Sequence, residues 1–312
     1  MSSTQPKSLL IGASGQIGSQ MLNLLGPDRC LVTSRKPASD VKLHLDLAII
    51  ATRADAERIL DARSLDAIYC IAGMTNVERC EEVPEQAHLT NCRGPEMLAR
   101  VANERKIPFV YFSTEYVFDG YDGPYVEEAT ANPLSVYGKS KWEGELAVIA
   151  ACSHALILRT TVVYGQDCGQ KNYVYSLMRT LGSGKTMHVP QDQISTPTYN
   201  RDLAKVTVAL AKRGCRGIFH VCGPKRMGRL EFASTIAAYL GLDGNLLVGL
   251  PTSALGQKAA RPLSAGLSID KLGRLHPELR MRSLTEGLAD CRDDLEEFLR
   301  SYVVLTKHVS RT

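Results

Sequence analysis

The chain has 312 residues, 44% hydrophobic and 22% charged, enough for one large α/β domain or two smaller ones sharing an interface. Its net charge of +4 is modest and its acids and bases are interleaved, which argues against a nucleic-acid stripe but not against a phosphorylated small molecule. "MSSTQPK" lacks the features of a signal peptide, no run reaches membrane-spanning length, and nine cysteines without a C-x-x-C read as reduced core residues, so a cytoplasmic protein is expected.

In chain order, apolar runs alternate with amphipathic segments. "SLLIG" (8–12) precedes "QIGSQMLNLLG", "CLVTS" (30–34) precedes "ADAERILDA" (54–62), and "AIYCIAG" (67–73) precedes "PEMLARVANERK" (95–106). "FVYFST" (109–114), a helix around 137–149 and "HALILRT" (154–160) complete the alternation. This is the βαβ signature of a parallel sheet covered on both faces. Later helices are expected at 171–182, 200–212, 229–240 and 283–301, with strands near 186–189, 217–222 and 245–250. The fold class expected is α/β: a Rossmann-type doubly wound parallel sheet over 1–165 plus later returning segments, with 166–312 mainly a smaller C-terminal substrate-binding lobe.

"IGASGQIG" joins the first strand to the first helix and sets Gly12, Gly15 and Gly18 three residues apart, with Gln16 and Ile17 inside the turn. Glycines here let the backbone approach a pyrophosphate and let the helix pack on the strand, while the helix N-terminus favours the anion. A dinucleotide is therefore expected. The second strand ends in "VTSRKP", offering Ser34, Arg35 and Lys36 where an acid would grip an unphosphorylated ribose, so NADP(H) is preferred with NAD as the alternative. Asp46 and Leu47 in "LDL" are placed by the adenine, although Leu47 reads equally well as core.

"SVYGKSKWEGE" puts Tyr137 and Lys141 on one helix face, with Trp142, Leu146 and Ile149 forming a separate apolar stripe able to pack. A cation beside a phenol favours its ionised form and suits acid/base work, whereas the plain alternative is a surface tyrosine lying on a lysine stem.

With the glycine turn before it and Ser113-Thr114 ending a strand between, the chain resembles an extended short-chain dehydrogenase/reductase. "FSTEYVFDGYDGPYVEEATANPLSVYGKSKWEGE" is similar to the central motif of the dTDP-4-dehydrorhamnose reductase family, and "LRTTVVYG", "DQISTPTYNRDLA", "GIFHVCG", "EFASTIAAYLGL" and "ARPLSAGLSIDKL" follow in the family's order. The resemblance implies NADPH-dependent reduction of a 4-keto sugar nucleotide. Tyr137 would be the proton donor, Lys141 the ribose anchor that lowers the phenol's pKa, and Thr114 the partner of the substrate oxygen. It places Ala72, Gly73, Thr75 and Ser113 at the cofactor and has Asn91 brace the helix. Glu115, Val117 and Phe118 go to the substrate side, with Asn172, Gln193 and Arg261.

One departure stands out: Glu115 replaces the family's usual aspartate, so a longer carboxylate either pushes into the sugar pocket and changes the substrate or turns outward. A 4,6-dehydratase is disfavoured because Tyr116, not a second acid, follows Glu115. Two alternatives stay open: a sugar-nucleotide epimerase of the same superfamily, and a non-catalytic NADP-binding subunit resembling the regulatory β subunit of methionine adenosyltransferase, which shares "YVFDG" and "YGK-K". A homodimer is compatible with the resemblance, and neither a metal nor a membrane is expected.

Overall fold

The structure, a computed structural model, describes residues 7–35, 43–60 and 64–309. The first half alternates as expected: β1 (Lys7–Ile11), α1 (Gln16–Leu25), β2 (Cys30–Ser34), β3 (Leu43–His44), α2 (Arg53–Leu60) and β4 (Leu65–Cys70). Two short helices that the sequence reading lacked, α3 (Val77–Glu82) and α4 (Pro84–His88), precede α5 (Gly94–Glu104), β5 (Phe109–Thr114), α6 (Val136–Ala151) and β6 (Leu156–Thr160).

The second half holds β7 (Val163–Tyr164), α7 (Tyr173–Gly182), β8 (Met187–Pro190), β9 (Ile194–Ser195), β10 (Thr198–Tyr199) and α8 (Asn200–Lys212). It continues with β11 (Gly217–His220), β12 (Met227–Gly228), α9 (Arg229–Tyr239), β13 (Leu247–Leu250) and α10 (Asp270–Leu275). The single helix expected over 283–301 is two, α11 (Leu284–Asp290) and α12 (Arg292–Val309), because the chain breaks at Cys291. No described helix is long and apolar enough to cross a membrane.

Seven strands form one parallel sheet in the order β11-β6-β5-β4-β1-β2-β3. Each central strand is covered on both faces, which is why β5 is apolar without alternation and buried at all six positions. On one face Leu9, Ile68 and Tyr111 pack against Met97, Leu98 and Val101 of α5. On the other, Leu10, Val110 and Phe112 meet Met21 of α1 and Leu203 and Val206 of α8. A third cluster lies in the second half, where Tyr164, Leu177, Phe232 and Leu288 unite α7, α9 and α11.

The order of strands locates a crevice. From β1 the chain winds outward through β2 and β3, then returns to start β4 on β1's other side. The turns after β1 and β4 therefore diverge at the carboxyl ends of neighbouring strands, the place where open α/β sheets bind ligands.

Candidate active site

The turn after β1 is held in a conformation that only glycine adopts readily. Gly12 has φ 101°, and a Cβ there would lie 2.8 Å from the Ala72 amide nitrogen, so the β1 and β4 turns touch. Gly15 caps α1 without a side-chain hydrogen bond, leaving the helix's first amides facing a groove of about 530 Å³. Gly12, Gly15, Gln16 and Ile17 line that groove on one side; Ala72, Gly73 and Thr75 line it on the other. Arg35, Asp46 and Leu47 close its far end. Leu47 is also core at 3% exposure.

Two of the residues expected at the cofactor stand differently, and the side chains of two more are not described. Gly18 is not at the groove: a Cβ there would sit 2.1 Å from the Gly12 carbonyl, so it is the contact that seats α1 against the turn. Ser113, next to last in β5, is buried, and among the described residues its hydroxyl has no partner. Lys36 lies outside the described residues, and of Ser34 only the backbone, the last residue of β2, is described.

Helix α6 reverses the expected polarity. Its buried face carries Tyr137, Lys141 and Gly144, whereas Leu146 and Ile149 of the apolar stripe are 51% and 41% exposed. The helix approaches the sheet closely because Gly144 has no side chain; a Cβ there would fall 2.2 Å from the Asn91 carbonyl and 2.5 Å from the Tyr111 hydroxyl. Asn91, fully buried in a wide helical turn, donates to Met74 O at 3.0 Å and to Ser140 Oγ at 3.0 Å, and accepts from Met74 N at 2.8 Å. It thereby ties the β4 turn to α6, the bracing role the resemblance implied.

Lys141 donates to the Phe112 carbonyl at 2.5 Å and sits 4.0 Å over the Tyr111 ring. Its ammonium borders the groove, since a Cβ on Gly73 would lie 3.8 Å from it. Burial pushes the Lys141 ammonium down to about 8. Burial likewise drives the Tyr137 phenol well above its ordinary value, against a side-chain hydrogen bond with Thr114 that pulls it down. Lys141 is not among the leading influences on that phenol, which corrects the expectation that it lowers the tyrosine's pKa. The ammonium is spent on a carbonyl and a ring face, so the phenol keeps its proton at neutral pH.

On the other side of Tyr137 the Tyr116 ring meets it edge-on at 5.5 Å, and beyond lies a second, smaller pocket. Glu115, Tyr116, Gln193, Ser195 and Arg229 line it. Glu115 does not turn outward: at 3% exposure its carboxylate accepts from Ser195 Oγ at 2.7 Å, from Gly266 N at 3.0 Å and from the Thr161 hydroxyl. Burial raises its pKa while those three bonds lower it.

Four expected substrate residues are also revised. Val117 and Phe118 are 0% exposed; Phe118 stacks on Tyr125 at 4.2 Å, so both side chains are core. Asn172 faces the larger groove and donates to Gln16 Oε1 at 3.1 Å. Arg261 does not line the small pocket; it donates to Tyr116 Oη at 3.0 Å and pairs with Glu78 at 2.8 Å. Gln193 does reach the pocket, with its amide donating to Thr252 and Gln257. Thr161, Ser195 and Arg229 were missed, since isolated hydroxyls and a single arginine carry no spacing signal.

A doubly wound parallel sheet, a glycine-cradled groove at its switch point, and a tyrosine and lysine one helical turn apart beside it define an extended short-chain dehydrogenase/reductase. Residues 7–297 match the family model described as the RmlD substrate binding domain. The chain is 34% identical over 274 residues to a dTDP-4-dehydrorhamnose reductase of Sinorhizobium fredii, covering 84% of this chain and 89% of that one. It is 33% identical over 277 residues to a probable low-salt glycan biosynthesis reductase of Haloferax volcanii, covering 85% and 90%. A crystal structure of the Bacillus anthracis dTDP-4-dehydrorhamnose reductase in complex with NADP matches with a TM-score of 0.81 at 28% identity, over 93% of this chain and 99% of that one. The chain belongs to the dTDP-4-dehydrorhamnose reductase family and is an NAD(P)-dependent oxidoreductase.

Proposed function

We propose that the protein reduces the 4-keto group of a nucleotide-linked deoxysugar with NADPH, Tyr137 supplying the proton. The observation that carries this reading is the position of Tyr137: buried, with its phenol held well above its ordinary value, one helical turn from Lys141, which borders the groove, and edge-on to Tyr116, which lines the Glu115 pocket. The groove fits a dinucleotide, because Gly12 lets the β1 and β4 turns close together and the start of α1 has no side-chain cap. Arg35 at its rim suits a 2′-phosphate.

When bound, NADPH supplies a hydride to the carbonyl carbon. The residues do the rest. Thr114 and Tyr137 direct hydroxyls at the carbonyl oxygen, and as that oxygen gains charge the phenol gives up its proton, leaving an alcohol on the sugar and a phenolate on the enzyme. Lys141, whose ammonium borders the groove next to Gly73, offers donors to a ribose. The segment after residue 165 supplies most of the sugar side through Gln193, Ser195 and Arg229.

The test is a panel of 4-keto nucleotide sugars, followed by loss of reduced-nicotinamide absorbance. Turnover of at least one is expected. If NADPH bound and none were turned over, the reductase reading would fall and a regulatory NADP-binding role would replace it.

A further inference from the structure

The groove has a wall that the glycine motif does not supply. Between β7 and α7 the chain runs as a strap over 165–172, and Asp167, Gly169, Lys171 and Asn172 of this strap face the groove opposite the Gly12 turn. The strap is rigid for a stated reason. The buried Asp167 carboxylate accepts from three of its backbone amides, Gly169 N at 3.0 Å, Lys171 N at 2.7 Å and Asn172 N at 3.1 Å. Its path also requires Gln170 at φ 51°, a conformation held only because the surroundings fix it.

The strap is fastened to the turn across from it. Asn172 Nδ2 bonds Gln16 Oε1 at 3.1 Å, Asn200 Nδ2 bonds Gln166 O at 2.6 Å, and Gln20 Nε2 bonds Gln166 Oε1 at 3.3 Å. Gln16 and Gln20 are successive positions on one face of α1, so the strap is held against the end of α1 where its uncapped amides emerge. Lys171 stands on this strap as an exposed side chain, and among the described residues no carboxylate is paired with it. Asp167 does not neutralise it, because that carboxylate is turned onto backbone amides.

We infer that Lys171 is a second cofactor-binding cation, one that clamps the pyrophosphate against the α1 turn from the substrate side of the groove. The inference rests on the dinucleotide reading above and adds a division of labour to it. Arg35, at the ribose end, distinguishes NADPH from NADH; Lys171, at the part both cofactors share, binds them alike.

The experiment is titration of the full chain with NADPH and with NADH, followed by nicotinamide fluorescence. Lys171→Met should raise both dissociation constants by about tenfold, the low end of what a charge-assisted hydrogen bond contributes, and should flatten the dependence on salt. Lys171→Arg should restore most of the affinity. Arg35→Ala, by contrast, should weaken NADPH alone. Unchanged affinity in Lys171→Met, while Arg35→Ala still discriminates between the cofactors, would overturn the inference and leave the reductase reading intact. Failure of the unaltered protein to bind either cofactor would bring down both.

Discussion

The groove bordered by Lys141 and the pocket lined by Tyr116, the two neighbours of Tyr137, are built in opposite ways. The cofactor groove is made of whole turns: residues 12–17 follow β1 and 72–75 follow β4, so each short stretch brings several groove residues together by local geometry. The Glu115 pocket takes single residues from distant places, with Glu115 after β5, Ser195 on β9 and Arg229 opening α9. A groove made from turns tolerates little change in backbone, whereas a pocket made from side chains on separate elements can be altered one residue at a time. The contrast fits an enzyme that keeps one cofactor while its substrate varies.

Four experiments test how separate the two cavities are, beginning with the residue between them. Tyr137→Phe removes the proton donor and leaves the ring, so turnover should fall about 10²- to 10⁴-fold with NADPH affinity and melting temperature nearly unchanged. A parallel loss of NADPH binding would show that the phenol serves the groove instead. Next comes the pocket. Glu115→Ala would strip the acceptor from two hydroxyls and an amide, costing about 3 kcal/mol of stability and raising the KM for sugar nucleotide, with the NADPH dissociation constant unmoved. Calorimetry and steady-state kinetics on one preparation decide it.

The groove should answer in the reverse sense. Arg35→Ala should weaken NADPH by about 1.5–3 kcal/mol, hardly touch NADH, and leave sugar KM alone at saturating cofactor. The smallest effect is on stability against pH. Lys141 holds its proton less tightly folded, at about 8, than its ordinary value of 10.5. Between those values the unfolded chain binds a proton that the fold releases, so the cofactor-free protein should gain about 1 kcal/mol between pH 8 and 9. Melting curves should show this rise in the parent and not in Lys141→Met, which should be inactive yet no less stable at pH 7.

Reading the sequence succeeded where structure is local. The glycine turn and the shared face of Tyr137 and Lys141 follow from spacings of three or four residues, and the parallel strands from the alternation of apolar runs with amphipathic segments. It failed where packing decides. In α6 the apolar stripe of Leu146 and Ile149 looked like the buried side, but the sheet took the face with Gly144, because only that face allows α6 to come so close to Tyr111. The pair β9–β12 is two residues per strand, too short for any periodicity, yet Ile194, Ser195 and Met227 line the Glu115 pocket. Asn172 was assigned to the sugar on the family resemblance; its bond to Gln16, 156 positions away, sets it on the groove. Glu115 was recognised as unusual, but its hydroxyl partners Thr161 and Ser195 lie 46 and 80 residues further on, beyond the reach of any local pattern.

The return of β11 to the edge of β6, and of α8 to the face of α1, has a consequence for how the protein is made. When a ribosome has released only the residues through β6, that strand presents an unpaired edge and α1 lacks Leu203 and Val206 of α8, which pack against it. A chain growing at about 5–20 residues per second needs several seconds more to reach β11, and throughout that interval an apolar sheet edge is open to neighbouring nascent chains. Most of the groove is encoded before β6, but the sheet that carries it is finished only when His220 has left the exit tunnel.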